Sequence, residues 1–198
     1  SHSKRTNLFV NPQGIVADDD SYSKEGIASA FVEYGRQIGK ASLQAGVRYE
    51  HVAFDYYIKN IHRKDMSRTT DDFFPSLGLS FPIGKVQMQL GYAKDILRPS
   101  FSQLSGEVTY NNRYTYQTGN PLLLPMTTDN ISLNAIYRWV SLSVGYQHIK
   151  NKVFYQSIPY SEDNPSVVLF SYTNQPAYDF CFASLTLSPK VGFWSPQL

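Results

Sequence analysis

Cysteine is all but missing from this 198-residue chain. Cys181 stands alone, which excludes an internal disulfide and any metal site built on several thiolates. It reads as a small apolar wall residue. Charge is also scarce: Asp, Glu, Lys and Arg make up 17% of residues and leave a net +2. The basic residues are scattered, so nothing marks a nucleic-acid surface. Long apolar runs are absent. The longest, Val167-Val168-Leu169-Phe170, falls far short of the ~18 residues a membrane helix needs, so a membrane reading requires strands. The chain also lacks a nucleophile elbow of the G-x-S-x-G type, and its glycines sit singly rather than in a phosphate loop. His51 and His62 lack metal-site spacing and read as solvent-facing. The Asp18-Asp19-Asp20 run lacks the alternating oxygen ligands and the turn glycine of a calcium loop. The expectation is a protein that is not an enzyme and holds no cofactor or metal.

What the chain has is aromatic residues, at 15%, and alternation. Leu77, Leu79 and Phe81 fall opposite Ser76, Gly78 and Ser80, and Val86, Met88, Leu90 and Tyr92 alternate with Gln87, Gln89, Gly91 and Ala93. A period of two is the signature of strands, because successive side chains point to opposite faces. The short turn at Pro82-Ile83-Gly84-Lys85 joins these two into an antiparallel hairpin. The same pattern recurs over residues 25–36, 41–57, 130–139, 140–146 and 180–187. One face is consistently apolar and the other carries amides, hydroxyls, glycines and Arg48. That division suits a wall between lipid and a wet interior. Mean hydropathy of −0.33 is compatible with this, since a polar lumen and polar loops offset the apolar stripe.

The expected fold class is all-β: an antiparallel up-and-down transmembrane β-barrel segment of about seven to eight strands, part of a larger barrel. The whole of 1–198 is read as one partial barrel domain. Residues 1–24 are expected to be irregular, followed by hairpins over 25–198. Short turns are placed near 38, 83, 139 and 189, and long loops near 58–70, 98–127 and 156–175. Short turns on one side and long loops on the other is the asymmetry of outer-membrane barrels. Tyr34, Tyr49, Tyr92, Tyr137, Trp139 and Tyr146 are candidates for the aromatic girdle at headgroup level. In the long central loop, Tyr110, Arg113, Tyr114 and Tyr116 mix aromatic rings, amides and a guanidinium, a surface for ligand contact by stacking and hydrogen bonding. Loop self-packing is the competing role for the same residues. Both ends of the chain are abrupt: no signal peptide opens it, and 191–198 stops where a strand begins. The expectation is an excised piece of a larger protein.

The stretch FPSLGLSF, then YAKDILRPSFSQL, then GNPLLLP resembles the barrel of TonB-dependent outer-membrane receptors, in the branch common in Bacteroidetes. Residues 22–31 and 44–50 resemble the preceding hairpin of that family, so the resemblance covers most of the chain from Tyr22 to about Arg138. The loop residues that carry it are Arg98, Pro99, Leu104, Gly119, Asn120, Pro121 and Pro125. Met126 stands where the family usually has an acidic residue, and Leu104-Ser105-Gly106 where it often reads L-N-P. The resemblance implies uptake of a bulky nutrient across the Gram-negative outer membrane. The implied partners are outer-membrane lipid, a plug domain and further barrel strands, TonB reached through that plug, and an unknown nutrient ligand, with no nucleic acid. The alternative is a complete small outer-membrane or ligand-binding barrel.

Overall fold

The computed structural model describes residues 2–6, 20–161 and 164–189. Pro12, Gly14, Asp18, Asp19 and the 191–198 stretch lie outside the described residues. In chain order the strands are β1 (His2–Thr6), β2 (Asp20–Ile38), β3 (Ala41–Ile58), β4 (Ile61–His62), β5 (Arg68–Ile83) and β6 (Val86–Leu97). A one-turn helix α1 (Phe101–Leu104) follows, then β7 (Val108–Asn112), β8 (Thr115–Thr118), β9 (Met126–Tyr137), β10 (Val140–Lys150), β11 (Val153–Ser161), β12 (Asn164–Asn174) and β13 (Tyr178–Leu187). The main sheet runs β1-β2-β3-β5-β6-β9-β10-β13, with β4 paired to β3, and every ladder in it is antiparallel. A second sheet, β11-β12-β8-β7, is built from the two longest connections.

The register turns the alternation of each strand into rows across the whole sheet. Residues directly opposite one another in an antiparallel pair share a face. Tyr34, Ala45, Leu77, Tyr92, Ile131, Tyr146 and Cys181 form one such row. The adjoining row on the other face is Gly35, Gln44, Gly78, Gly91, Ser132, Gly145 and Phe182. Shallow hollows open on the polar face, lined by Gln44, Gly78, Ser80, Gln89, Ser132 and Asn134 in one case and by Glu33, Arg48, Phe74 and Asp95 in another. The sheet therefore curls toward its polar side and presents the apolar rows on its convex side. The hairpin turns fall at Gly39-Lys40, Gly84-Lys85 and Arg138-Trp139. Gly39 and Gly84 sit at φ +58° and +60°, in the left-handed region that two-residue hairpins require and that glycine enters without a Cβ clash.

Several connections are more ordered than the sequence pattern implies. The 1–24 segment is not wholly irregular: β1 pairs with the start of β2, from Thr6 opposite Asp20 to His2 opposite Lys24. Its backbone pairing needs no apolar alternation, and Ser3, Lys4 and Arg5 supply none. The 58–70 loop is shortened by Ile61–His62, which folds back on Tyr57–Ile58 through Lys59 and Asn60, both at positive φ. The 156–175 loop is instead the β11–β12 hairpin. Ser188 and Pro189 follow β13 without strand geometry. Among the described residues eight strands lie in line across the main sheet, within the seven to eight expected from the sequence.

Candidate functional site

The 98–125 connection folds back onto the concave face of β3. On that strand Glu50, Val52, Phe54 and Tyr56 share the face of Arg48, and beyond Arg48 this face turns from polar to apolar. The apolar part is covered: Leu104 and Leu123 close over Phe54 and Tyr56, and all four are almost fully buried. Ile58, Met66, Val153 and Tyr172 complete the cluster. This is the largest dry core among the described residues, and it lies above the short-turn half of the wall.

The sequence of the connection explains its shape. Ser100 caps α1 by accepting from the Gln103 amide, while the Gln103 side chain accepts from the Ser100 amide at 2.8 Å, a reciprocal capping box. The chain returns to this helix at Gly119, where a Cβ would overlap the carbonyl oxygens of Ser102, Gln103 and Ser105. Only glycine fits. The Asn120 amide then donates to the Gln103 carbonyl at 2.6 Å. Its side chain accepts from the Leu122 amide at 3.0 Å and donates to the Tyr172 carbonyl at 3.0 Å. One asparagine thus ties together the helix end, the next turn and β12. Pro121 packs beside Gly106, whose amide donates to the Tyr56 hydroxyl at 2.8 Å.

Charge anchors the entrance to the loop. Glu50 is buried, with Arg48 Nε at 3.1 Å on one carboxylate oxygen and the Arg98 guanidinium on the other. Arg48 also stacks over the Phe74 ring at 5.1 Å. Arg98, Pro99, Leu104 and Pro125 line one small hollow together with Val52, Phe54 and Arg68. Burial lowers the Arg68 guanidinium from its usual range, opposed by the Glu25 carboxylate. By contrast Arg63 and Asp65 pair in the exposed connection before β5, where the guanidinium's hydrogen bonds hold the Asp65 carboxyl below its ordinary value.

The second sheet fuses two loops into one body. β8 pairs with β12 in parallel, Thr115 to Gln117 against Val168 to Phe170. Asn174 adds a side-chain clamp on Leu124, accepting from its amide at 2.8 Å and donating to its carbonyl at 3.0 Å. Of the four residues expected to face a ligand, Tyr110 and Tyr114 are exposed and Arg113 stacks on the Tyr114 ring at 4.6 Å. Tyr116 is not at the surface: it is 4% exposed, packed with Val167 and against Val108, Tyr160 and Leu169. The strand pairing turns its ring inward, and burial raises its hydroxyl above the ordinary range.

Asp55, His62 and Ser67 come together on the β3–β5 connection, a cluster the sequence spacing does not reveal. Asp55 Oδ1 and Ser67 Oγ both approach the same nitrogen, His62 Nε2, at 3.2 and 2.9 Å. A nucleophile relay needs the acid and the hydroxyl on opposite ring nitrogens. Ser67 Oγ is instead engaged by the Tyr56 amide and donates to the Arg63 carbonyl, which gives it a structural role in the turn.

A curled antiparallel sheet with an apolar convex face, two-residue turns along one edge and folded loops along the other defines the wall of an outer-membrane β-barrel. Residues 6–195 match the model of the outer membrane protein beta-barrel family, and the chain belongs to that family. Its setting is the outer membrane. No curated protein matches it. Among solved structures it is similar to the siderophore receptor PirA of Pseudomonas aeruginosa, with TM-score 0.54 and 14% identity over 88% of this chain and 41% of that one. The Serratia marcescens hemophore receptor HasR, solved as a double mutant with its hemophore HasA and heme, gives 0.64 and 13% over 93% and 34%. The Pseudomonas aeruginosa ferric enterobactin receptor PfeA gives 0.52 and 16% over 87% and 34%. At these identities the likeness is one of fold. The chain spans about two fifths or less of the length of each.

Proposed function

We propose that this chain is the wall and outer-loop section of a TonB-dependent receptor that takes up a bulky nutrient. The observation that carries the reading is the 98–125 connection folded onto the concave face and fused to the 151–175 hairpin. That arrangement builds a rigid vestibule over the lumen. It offers Tyr110, Arg113 and Tyr114 at an exposed hairpin tip, where rings and a guanidinium suit a flat or polyoxygenated ligand. Arg98, Pro99, Leu104, Gly119, Asn120, Pro121 and Pro125 hold that vestibule in place and leave ligand contact to the tip. The rest of the barrel, a plug and TonB are the partners this reading requires. The similar receptors are described by siderophores, enterobactin, and a hemophore with heme, so an iron chelate is the first ligand class to try.

The test is uptake by cells expressing the full-length protein that contains this chain, with heme and a panel of labelled ferric siderophores as probes. Energy-dependent accumulation that disappears without TonB is expected for at least one probe. Removal of 107–118 is expected to weaken binding while the barrel still assembles. An assembled barrel whose uptake persists unchanged without TonB overturns the reading.

A further inference from the structure

One ladder of the main sheet stops early. The β5–β6 ladder runs for eight pairs from the turn and ends at Ser76 opposite Ala93. On either side β3–β5 runs for thirteen, to Phe54 opposite Arg68, and β6–β9 for eleven, to Leu97 opposite Met126. The β2–β3, β9–β10 and β10–β13 ladders likewise reach the loop end of a strand. In the register of the short ladder, 72–75 of β5 face 94–97 of β6, and no pairing joins the two segments. Pro75 is the first β5 residue past the break. A proline cannot donate to a ladder and is accommodated where one flank of its strand is free. Pro82 obeys the same rule on the other flank, past the end of the β3–β5 ladder at Ser80.

Above Ser76 and Ala93 the wall is therefore two panels, β1 to β5 and β6 to β13, with a seam between them. Ala93 stands 8 residues past Lys85. A tilted strand crosses the hydrocarbon core in ~9–11 residues, so the seam opens at the outer edge of the membrane. Unpaired backbone at that depth needs a wet lining. The hollow behind the seam supplies one, and it spans both panels, with Arg48, Phe74 and Pro75 on one and Ala93, Lys94 and Asp95 on the other. Lys94 Nζ reaches across to 5.9 Å from the Phe74 ring centroid.

The vestibule closes the seam at the top. Its strands β7, β8, β11 and β12 lie in connections that spring from β6, β9, β10 and β13, all on one panel. Its grip is on the other panel: Leu104, Leu123, Val153 and Tyr172 share one apolar cluster with Phe54, Tyr56, Ile58 and Met66. Two polar contacts cross with them, the Arg98 guanidinium on Glu50 and the Gly106 amide on the Tyr56 hydroxyl. We propose that the β5–β6 seam is a hinge line in the wall and that the vestibule is its latch. Lifting Leu104 and Leu123 off β3 frees the top of β6 and β9 to swing about the Ser76–Ala93 pair. That motion opens a lateral slot from the outer edge of the membrane into the hollow. The inference rests on the outer-membrane barrel reading and is independent of which ligand the vestibule takes.

The test uses the full-length protein in vesicles, in a Cys181→Ser background, with nitroxides on the pair Phe73→Cys, Ile96→Cys across the seam. The pair Thr128→Cys, Ile149→Cys, across the zipped β9–β10 ladder, is the control. Dipolar broadening reports both separations. Releasing the latch with Leu104→Ala, Leu123→Ala is expected to lengthen the seam pair by about one strand spacing, ~5 Å, and to leave the control pair unchanged. An unchanged seam pair, or equal lengthening of both pairs, overturns the inference while leaving the barrel reading intact. If the latch variant does not assemble, amide exchange of the wild-type protein decides. The fastest amides within 72–74 and 94–97 are expected to exchange faster than those within 127–129 and 148–149, and equal rates overturn the inference. A wild-type protein that does not insert into the vesicles overturns the barrel reading as well.

Discussion

Two positions decide whether the outer loop holds its place. Glu50 is 6% exposed and faces two guanidiniums, so its removal leaves positive charge with no nearby match. Removing one partner of a buried pair costs about 3–5 kcal/mol. Arg48 is half exposed and water compensates it in part, so Glu50→Ala is expected near the bottom of that range in the unfolding free energy of the assembled barrel. Asp65→Ala, which breaks a pair open to solvent, is expected to cost far less, because water compensates both partners. Equal losses from the two substitutions would contradict the anchoring role of Glu50. Gly119→Ala acts through sterics, since its methyl group meets three carbonyl oxygens that cannot yield without unwinding α1. Protease cleavage within 99–125 is expected to rise in that variant while the wall stays intact, and unchanged protection would count against the clasp.

At the scale of the strand, alternation sets what each position tolerates. Leu90 lies in the convex row with Leu43, Leu79, Leu133 and Val144, and its neighbour Gln89 faces the hollow with Ser80 and Asn134. Leu90→Arg is expected to cost about 2–4 kcal/mol in a bilayer, because the charge enters hydrocarbon at mid-band. Gln89→Arg, one residue away, enters a wet interior and is expected to cost close to nothing. Denaturant unfolding of the full-length protein in liposomes separates them, and equal costs would mean that the faces are assigned the wrong way round.

For the whole molecule the governing fact is that, among the described residues, β1 and β13 do not meet. Among those residues each leaves one row of backbone donors and acceptors without a partner strand in this sheet. In hydrocarbon such groups have no water to satisfy them, so a spanning sheet must close. In water the convex face is the problem, since Leu77, Leu90, Leu142, Val144 and Leu185 are all exposed. Expressed by itself, this chain is expected to associate through its edges and apolar face, and sizing at low concentration without detergent checks this. A stable monomer that unfolds cooperatively would favour a complete small barrel over a section of a large one.

The strands, their faces and their short turns were legible in the sequence because they rest on local chemistry: a period of two, glycine at Gly39 and Gly84, and aromatic residues ending each apolar stripe. The family resemblance was likewise carried by contiguous residues. Three features came only with the tertiary structure, each for the same physical reason, that the partners lie far apart in the chain. β1 is polar and is a strand only because β2 offers it backbone partners. Tyr116 looks like a ligand-facing ring and is buried because a parallel ladder brings β8 against β12, some fifty residues on. The hydrogen bond from the Tyr146 hydroxyl to Asp179 needs a register, since the two are strangers in sequence and neighbours only once β10 and β13 are aligned. Periodicity determined which way each side chain faces; the ladder between strands decided what it meets there.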